Sequence, residues 1–229
     1  NITTFTDGTR EINWTNLPDD TYYFNVTITD DAGNSNSTET RTIRLDDTKP
    51  SITIYEPKAQ NYNTNNSMQL NYTATDNLIG LDECWYYVYN SSGSLIITTT
   101  TLSNCENTTF SLPGGDIDYT LYLFSKDKLG NTNSKSVTFG IRTESPAISL
   151  GILNDTHSNT LYNHIFNFTV STNADSISSC QLWGNWTTGW HKNQTLTSVS
   201  TSSVNNFNAI NLSEGKYLWN VWCNDSLNN

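Results

Sequence analysis

The chain is poor in charge, and poorest in positive charge. Charged residues make up 14% of its 229 residues, and 11 Lys and Arg face 22 Asp and Glu for a formal net charge of −11. A phosphate backbone is recognised through clustered Lys and Arg, so the charge balance argues against nucleic acid as a partner. No apolar run approaches the roughly 20 residues that span a bilayer, so the segment has no expected membrane span. Apolar residues amount to 35%, and low hydropathy with low charge would ordinarily point to disorder. The 27 aromatics and a sustained period-two alternation argue otherwise, because such residues suit a pleated, half-buried surface. Helical periodicity appears at no useful length.

Catalytic chemistry is equally sparse. The three histidines, His157, His164 and His191, sit in no metalloprotease or nucleophile-elbow motif. No Gly-rich loop leads into a helix to cradle a phosphate. Carboxylate pairs such as Asp19/Asp20 and Asp116/Asp118 resemble a glycosidase pair only in type. They fall in expected turns, which Asp favours anyway. The sequence therefore reads as non-enzymatic.

What the chain has is a repeat. The stretch from Tyr22 to Asn34 returns as Tyr119 to Asn131 and as Tyr217 to Asn229. Each copy has a Tyr, apolar residues at alternate positions, an Asp eight residues on, and a Gly-Asn or Asn-Asn turn. Tyr22, Phe24, Val26 and Ile28 would share one strand face, as would Tyr119, Leu121 and Leu123, and Tyr217, Trp219, Val221 and Cys223. In the second copy Tyr122 and Phe124 load the other face too; burial on both sides or an intermodule contact would account for that. Asp30 and Asp127 lie 97 positions apart, and Pro50 and Pro146 lie 96 apart. A period near 97 suits a β-sandwich of roughly 100 residues and is too long for a solenoid.

The expected fold is all-β: tandem immunoglobulin-like β-sandwich modules. Residues 1–47 read as the C-terminal part of one module, 48–143 as a complete one, and 144–229 as a third lacking its last strand. In the first module, strands are expected at Arg10–Thr15, Tyr22–Thr29 and Glu39–Leu45. Seven are expected in the middle one: Ser51–Tyr55, Met68–Ala74, Cys84–Tyr89, Leu95–Thr101, Thr108–Leu112, Tyr119–Lys126 and Lys135–Ile141. The last should hold Ala147–Leu153, Ile165–Val170, Ser179–Trp186, Val204–Leu212 and Tyr217–Cys223. Partial modules at both ends read as a piece of a longer array. An incomplete sandwich also offers an edge for strand addition between subunits.

Four cysteines permit three pairings, and module boundaries favour Cys84 with Cys105 and Cys180 with Cys223. The alternatives are buried free thiols or, with no C-x-x-C spacing, a less suitable zinc site. Paired cysteines imply an oxidising, extracytoplasmic compartment. Fourteen sequons occur, at Asn1, Asn13, Asn25, Asn36, Asn65, Asn71, Asn90, Asn107, Asn154, Asn167, Asn185, Asn193, Asn211 and Asn224. With 32 Asn and 60 Ser or Thr, chance would supply about eight. Asn25 and Asn71 would project outward between inward-facing neighbours, where an N-linked glycan fits.

Two further sites are candidates. Asp46, Asp47 and Asp76, with Asp30 and Asp127 nearby in turns, would suit Ca²⁺, which takes six to eight oxygen ligands. Solvated, turn-forming Asp is the plainer role. No other cofactor is expected. Trp183, Trp186 and Trp190 cluster near an expected hairpin at Thr187–Gly189 and would stack on sugars if exposed, giving a carbohydrate-binding alternative. Core packing is the plainer role for them.

The Tyr-x-x-x-Val-x-x-x-Asp-x-x-Gly-Asn motif occurs with the linker Asp47-Thr-Lys-Pro50, Cys84-Trp-Tyr86 and Trp219-Asn-Val-Trp-Cys-Asn-Asp225. Together they resemble the tandem immunoglobulin-like domains of archaeal cell-surface proteins, including S-layer-associated, adhesin-like and filament-forming ones. The resemblance implies a secreted, glycosylated, structural or adhesive protein at the cell surface. Its partners would be further copies, other surface proteins or glycans. Cys84 beside Trp85 on one strand departs from the Cys…Trp…Cys order of antibody domains.

Overall fold

A computed structural model describes residues 3–4, 11–151, 164–187 and 189–229. The strands in chain order are β1 Asp20–Phe24, β2 Thr27–Thr29, β3 Ser35–Ser37, β4 Arg41–Leu45, β5 Ser51–Glu56 and β6 Asn61–Tyr62. They continue as β7 Met68–Thr75, β8 Leu81–Asn90, β9 Leu95–Leu102, β10 Thr108–Phe110, β11 Ile117–Asp127 and β12 Thr132–Ile141. The last six are β13 Ala147–Leu150, β14 Asn167–Ser171, β15 Ile177–Gly184, β16 His191–Leu196, β17 Asn205–Asn206 and β18 Trp219–Asp225. One three-residue 3₁₀ turn, Ser103–Cys105, is the only helical element among the described residues. The fold is all-β, in tandem immunoglobulin-like sandwiches.

The middle module packs a three-stranded sheet, β10-β7-β5, on a five-stranded one, β6-β12-β11-β8-β9. Alternation explains how. Leu70 and Tyr72 of β7, Cys84, Tyr86 and Val88 of β8, and Tyr119, Leu121 and Leu123 of β11 all point inward and are buried. All seven expected strands are present here, longer or shorter by one to three residues at their ends. The last module repeats the plan with β13-β14-β17 against β16-β15-β18. Its core holds Phe168, Val170, Leu182, Phe207 and Val221. Among the described strands, none pairs across Asp46–Pro50 or Arg142–Pro146.

Several expectations need correction. Residues 11–15 form no strand, and β1 pairs with β4. The Tyr22–Thr29 strand breaks at Asn25–Val26, where the Thr38 hydroxyl accepts the Val26 N–H at 3.0 Å. The pieces pair separately, β1 with β4 and β2 with β3. In this ribbon Ile28 is 71% exposed, and no described residue before Pro50 is buried. Most of Val204–Leu212 is irregular, with β17 and a single bridge from His164 to Ile210. β3 and β16 lack the alternating apolar pattern that marks the other strands, so periodicity passed over them.

The second-copy strand is buried on its inner face and half-buried on its outer one. Tyr122 and Phe124 join Trp85, Tyr87 and Tyr89 in a ring cluster outside the sheet, with Trp85 stacked on Phe124 at 5.2 Å. Contact within one module therefore accounts for its double loading.

Candidate functional site

Each repeated Asp closes its turn in the same way. The Asp127 carboxylate accepts the N–H groups of Leu129 at 2.8 Å and Asn131 at 2.9 Å, while the Asn131 amide donates to the other carboxylate oxygen at 2.7 Å. Asp225 repeats the pattern with Leu227 at 2.9 Å and Asn229 at 3.0 Å, and Asp30 repeats its second half with Asn34 at 2.8 Å. Gly33 and Gly130 supply the positive φ that the turn requires.

The closing Asn then reaches the linker that precedes its module. Asn131 Nδ2 donates to the Asp46 carbonyl at 3.0 Å, and Asn229 Nδ2 donates to the Arg142 carbonyl at 2.9 Å. Asp46 and Arg142 lie 96 positions apart, one repeat. The motif is thus a clasp between a turn and a linker. Asp127 and Asp225 are wholly buried by it. Burial pushes the Asp127 carboxyl up, but the donors from Asn131, Leu129 and Gly130 outweigh that and hold it below its ordinary value.

A second clasp binds the linker from the other side. Asp19 accepts the Asp47 N–H at 3.0 Å and also the Thr48 hydroxyl, which together lower its pKa. One repeat later, Asp116 accepts the Glu144 N–H at 3.3 Å. A buttress recurs before each F-type strand as well: Tyr22, Tyr119 and Tyr217 donate their hydroxyls to the carbonyls of Pro18, Pro113 and Ser213. This is the tyrosine corner of immunoglobulin-like sandwiches.

At the first junction three carboxylates converge. Oxygens of Asp46, Asp76 and Asp127 all lie within 4.8 Å of one another, the one such group of potential metal ligands among the described residues. Asp76 spends one oxygen on the N–H groups of Leu78, Ile79 and Gly80. Its other oxygen, and Asp46 Oδ2, are buried without a hydrogen-bond partner. Burial, then repulsion from Asp76, Asp19 and Asp127, raises the Asp46 pKa against the opposing Thr48 N–H. Asp47 and Asp30 are exposed and stand outside this trio. Asp127 takes the place expected of Asp47, because the repeated turn folds back under the linker.

The second junction changes two of the same three side chains and keeps the third. Arg142, Thr172 and Asp225 correspond to Asp46, Asp76 and Asp127. Thr172 donates to Asp225 at 3.5 Å. The Arg142 guanidinium bonds the Asn173 and Ile141 carbonyls, both at 2.9 Å, and the Asp118 carboxylate. Three direct bonds of 2.7 Å join the neighbouring modules: Asn61 to Asp175, Asn63 to the Leu227 carbonyl and Asn173 to Asp116.

Residues 3–47 match the bacterial Ig-like domain family. No curated protein matches the chain. Among solved structures it is similar to the fibronectin(III)-like modules of Clostridium thermocellum CbhA, at 16% identity and a TM-score of 0.34, over 78% of this chain and 87% of that one. It is similar to a tetra-tandem repeat in the extending region of a large adhesion protein, at 16% identity and a TM-score of 0.35, over 93% of this chain and 58% of that one. A two-domain fibronectin type-III segment of chicken tenascin matches at 12% identity and a TM-score of 0.34, over 78% and 93% of the two chains.

Within this Ig-like frame the cysteines form two unlike bridges. Cys84 of β8 bonds Cys105 in the 3₁₀ turn, and Cys180 of β15 bonds Cys223 of β18, its direct cross-strand partner with Cα atoms 4.1 Å apart. Neither is the inter-sheet bridge of antibody domains. Ser125 is wholly buried opposite Cys84, where the last module has Cys223.

The tryptophans divide. Trp186 is partly buried against the core: its ring stacks on Phe166 at 5.3 Å and lies against Gly184, where a Cβ would meet it at 1.9 Å. Trp190 stays 53% exposed. Trp183 faces outward from β15 and groups with Trp190 and with Trp222 of β18, which no sequence motif had singled out as a binding residue. Of the sequons, Asn13, Asn25, Asn36, Asn107, Asn193 and Asn211 are exposed. Asn71, Asn90, Asn167, Asn185 and Asn224 are partly buried; so is Asn65, whose amide donates to the Leu112 carbonyl at 2.8 Å. Asn1, Asn154 and His157 lie outside the described residues.

Proposed function

We propose that the chain is a segment of an extracellular structural or adhesive protein, a glycosylated array of Ig-like modules held in fixed relation at a cell surface. One observation carries this reading: both linkers are pinned by the same Asn clasp, at Asp46 and at Arg142. A linker bonded to the following module's turn on one side and to Asp19 or Asp116 on the other transmits orientation rather than acting as a free joint. Two disulfides agree with an oxidising setting. Further copies or other surface proteins would be its partners, in a layer, stalk or filament, with N-linked glycans on the exposed sequons.

In this reading Asp46, Asp76 and Asp127 hold Ca²⁺. The donor set is all oxygen, which suits a hard cation. Ligands of one Ca²⁺ at about 2.4 Å lie at most about 5 Å apart, and the observed spread is within 4.8 Å. The two buried, unpartnered oxygens want a positive partner. Bound cation would cancel the repulsion among the carboxylates and tie linker, loop and turn together.

Small-angle scattering of the whole chain tests both parts. Expected is a rod-like profile with 1 mM Ca²⁺ that becomes shorter and more flexible in EDTA, with Asp76→Asn resembling the EDTA state throughout. A profile indifferent to Ca²⁺ would remove the cation. A freely jointed ensemble in both conditions would remove the rigid array.

A further inference from the structure

The outer face of the sheet in the last module differs in kind from its counterpart in the middle one. In β8 and β11 the outward positions are Trp85, Tyr87, Tyr122 and Phe124, and their rings contact one another at 5.2–5.4 Å. That surface is occupied by itself. One repeat later the same positions hold Gln181, Trp183, Asn220 and Trp222. Cross-strand pairing sets Gln181 beside Trp222 and Trp183 beside Asn220, so indoles and amides alternate diagonally. Trp190 comes in from the β15–β16 hairpin, and the five side chains line a shallow depression of about 450 Å³.

The tryptophans here have no aromatic partner among the described residues. Trp190 is 53% and Trp222 51% exposed. Trp183 Nε1 donates to Gln181 Oε1 at 3.1 Å, which fixes the plane of that indole. Exposing large flat apolar rings is unfavourable in water unless something covers them. The lining carries no charged residue, although the chain's net charge is −11. Lys192 of β16, the cross-strand partner of Trp183, stands beside the lining, so an anionic polymer is the control that separates charge from stacking. A pyranose ring fits the chemistry: its axial C–H face packs on an indole, and its equatorial hydroxyls both donate to and accept from side-chain amides.

We propose that Trp183, Trp190 and Trp222, with Gln181 and Asn220, form a binding platform for a neutral polysaccharide. The platform is independent of the junctions, and stands whether or not the array is rigid. It also assigns the alternating indoles and amides a shared task that packing alone does not.

Affinity electrophoresis of the whole chain through gels containing hydroxyethyl cellulose, mannan, galactan or heparin provides the test. Expected is retardation by at least one of the three neutral polymers and none by heparin. Trp222→Ala and Trp190→Ala should each weaken it at least tenfold, with circular dichroism and the melting midpoint unchanged because both rings are half exposed. Trp85→Ala on the middle module should leave binding intact. Failure of all three neutral polymers to retard the chain overturns the proposal, as does retardation equal in Trp222→Ala. Self-association at rising concentration, abolished by Trp222→Ala, would assign the face to a second copy and overturn it too.

Discussion

The two junctions of this chain solve one problem with different chemistry. Both fasten a five-residue linker with an Asn amide from a buried Asp turn. Beneath that shared clasp, the first collects three carboxylates, two of whose buried oxygens have no partner. The second has Thr172 donating to the buried Asp225 and an arginine bonded to three acceptors. The second is complete within the polypeptide, whereas the first accumulates like charge that its own side chains leave uncompensated. A repeat can therefore preserve the geometry of a joint while changing what stabilises it, through substitutions at only two of three positions.

The largest expected effect is at the buried turns. Asp225→Ala strands the Leu227 and Asn229 N–H groups and should cost about 3 kcal/mol, since hydrogen bonds to a buried charge are worth about 1.5–3 kcal/mol each and are partly recovered through water. Asp127→Ala removes the same bonds but also relieves repulsion with Asp46 and Asp76. In EDTA, calorimetry should show the smaller loss for Asp127→Ala, and in Ca²⁺ that gap should narrow or reverse. Equal losses in both buffers would mean that the trio stores no repulsion.

A transplant should move the difference between junctions. Arg142→Asp combined with Thr172→Asp recreates the acidic trio at the second junction. It should be destabilised in EDTA and recover about 3 kcal/mol at a Ca²⁺ concentration near a hundred times its Kd. Titration calorimetry should count one additional Ca²⁺ per chain. No added equivalent would show that the trio alone does not make the site.

The smallest effect is in pH. Asp46 has a folded pKa above its ordinary value of 3.8, so without cation the folded state gains from its protonation. That gain is lost as pH rises from the ordinary value through the raised one. Asp127 behaves oppositely: its folded pKa is lowered, so its contribution is present above the ordinary value and fades as pH falls through the folded one. Ca²⁺ needs all three groups ionised. Its effect on the melting midpoint should be full at pH 7 and decline as falling pH protonates Asp46, whose pKa is raised. A Ca²⁺ effect that does not decline with falling pH would place the ion elsewhere.

Much of this was legible in the residues. The middle module's seven strands follow from alternation, since period two on both sheets leaves one inward set of large apolar side chains. Module boundaries favoured pairing Cys84 with Cys105 and Cys180 with Cys223, and both bridges are present. The candidate site was only partly legible. Asp46 and Asp76 stood out as linker and loop carboxylates, but their company with Asp127 depends on a turn folding beneath a linker some 80 residues earlier in the chain. Core packing was the plainer expectation for all three tryptophans of the cluster, but only Trp186 takes it, in the space left by the missing side chain of Gly184. Trp222 looked like an ordinary outward strand residue until β18 was set beside β15.

By itself, then, the sequence determined the class of fold and the length of the repeat and favoured the cysteine pairing, because alternation, spacing and module boundaries are local or additive properties. Only the tertiary structure decided which residues meet across a joint and which rings remain uncovered. Those outcomes depend on contacts between segments far apart in the chain, whose geometry no local pattern encodes. The Asp and Asn of the repeated turn show both sides. Their recurrence announces a turn, and the fold makes that turn a clasp on the linker.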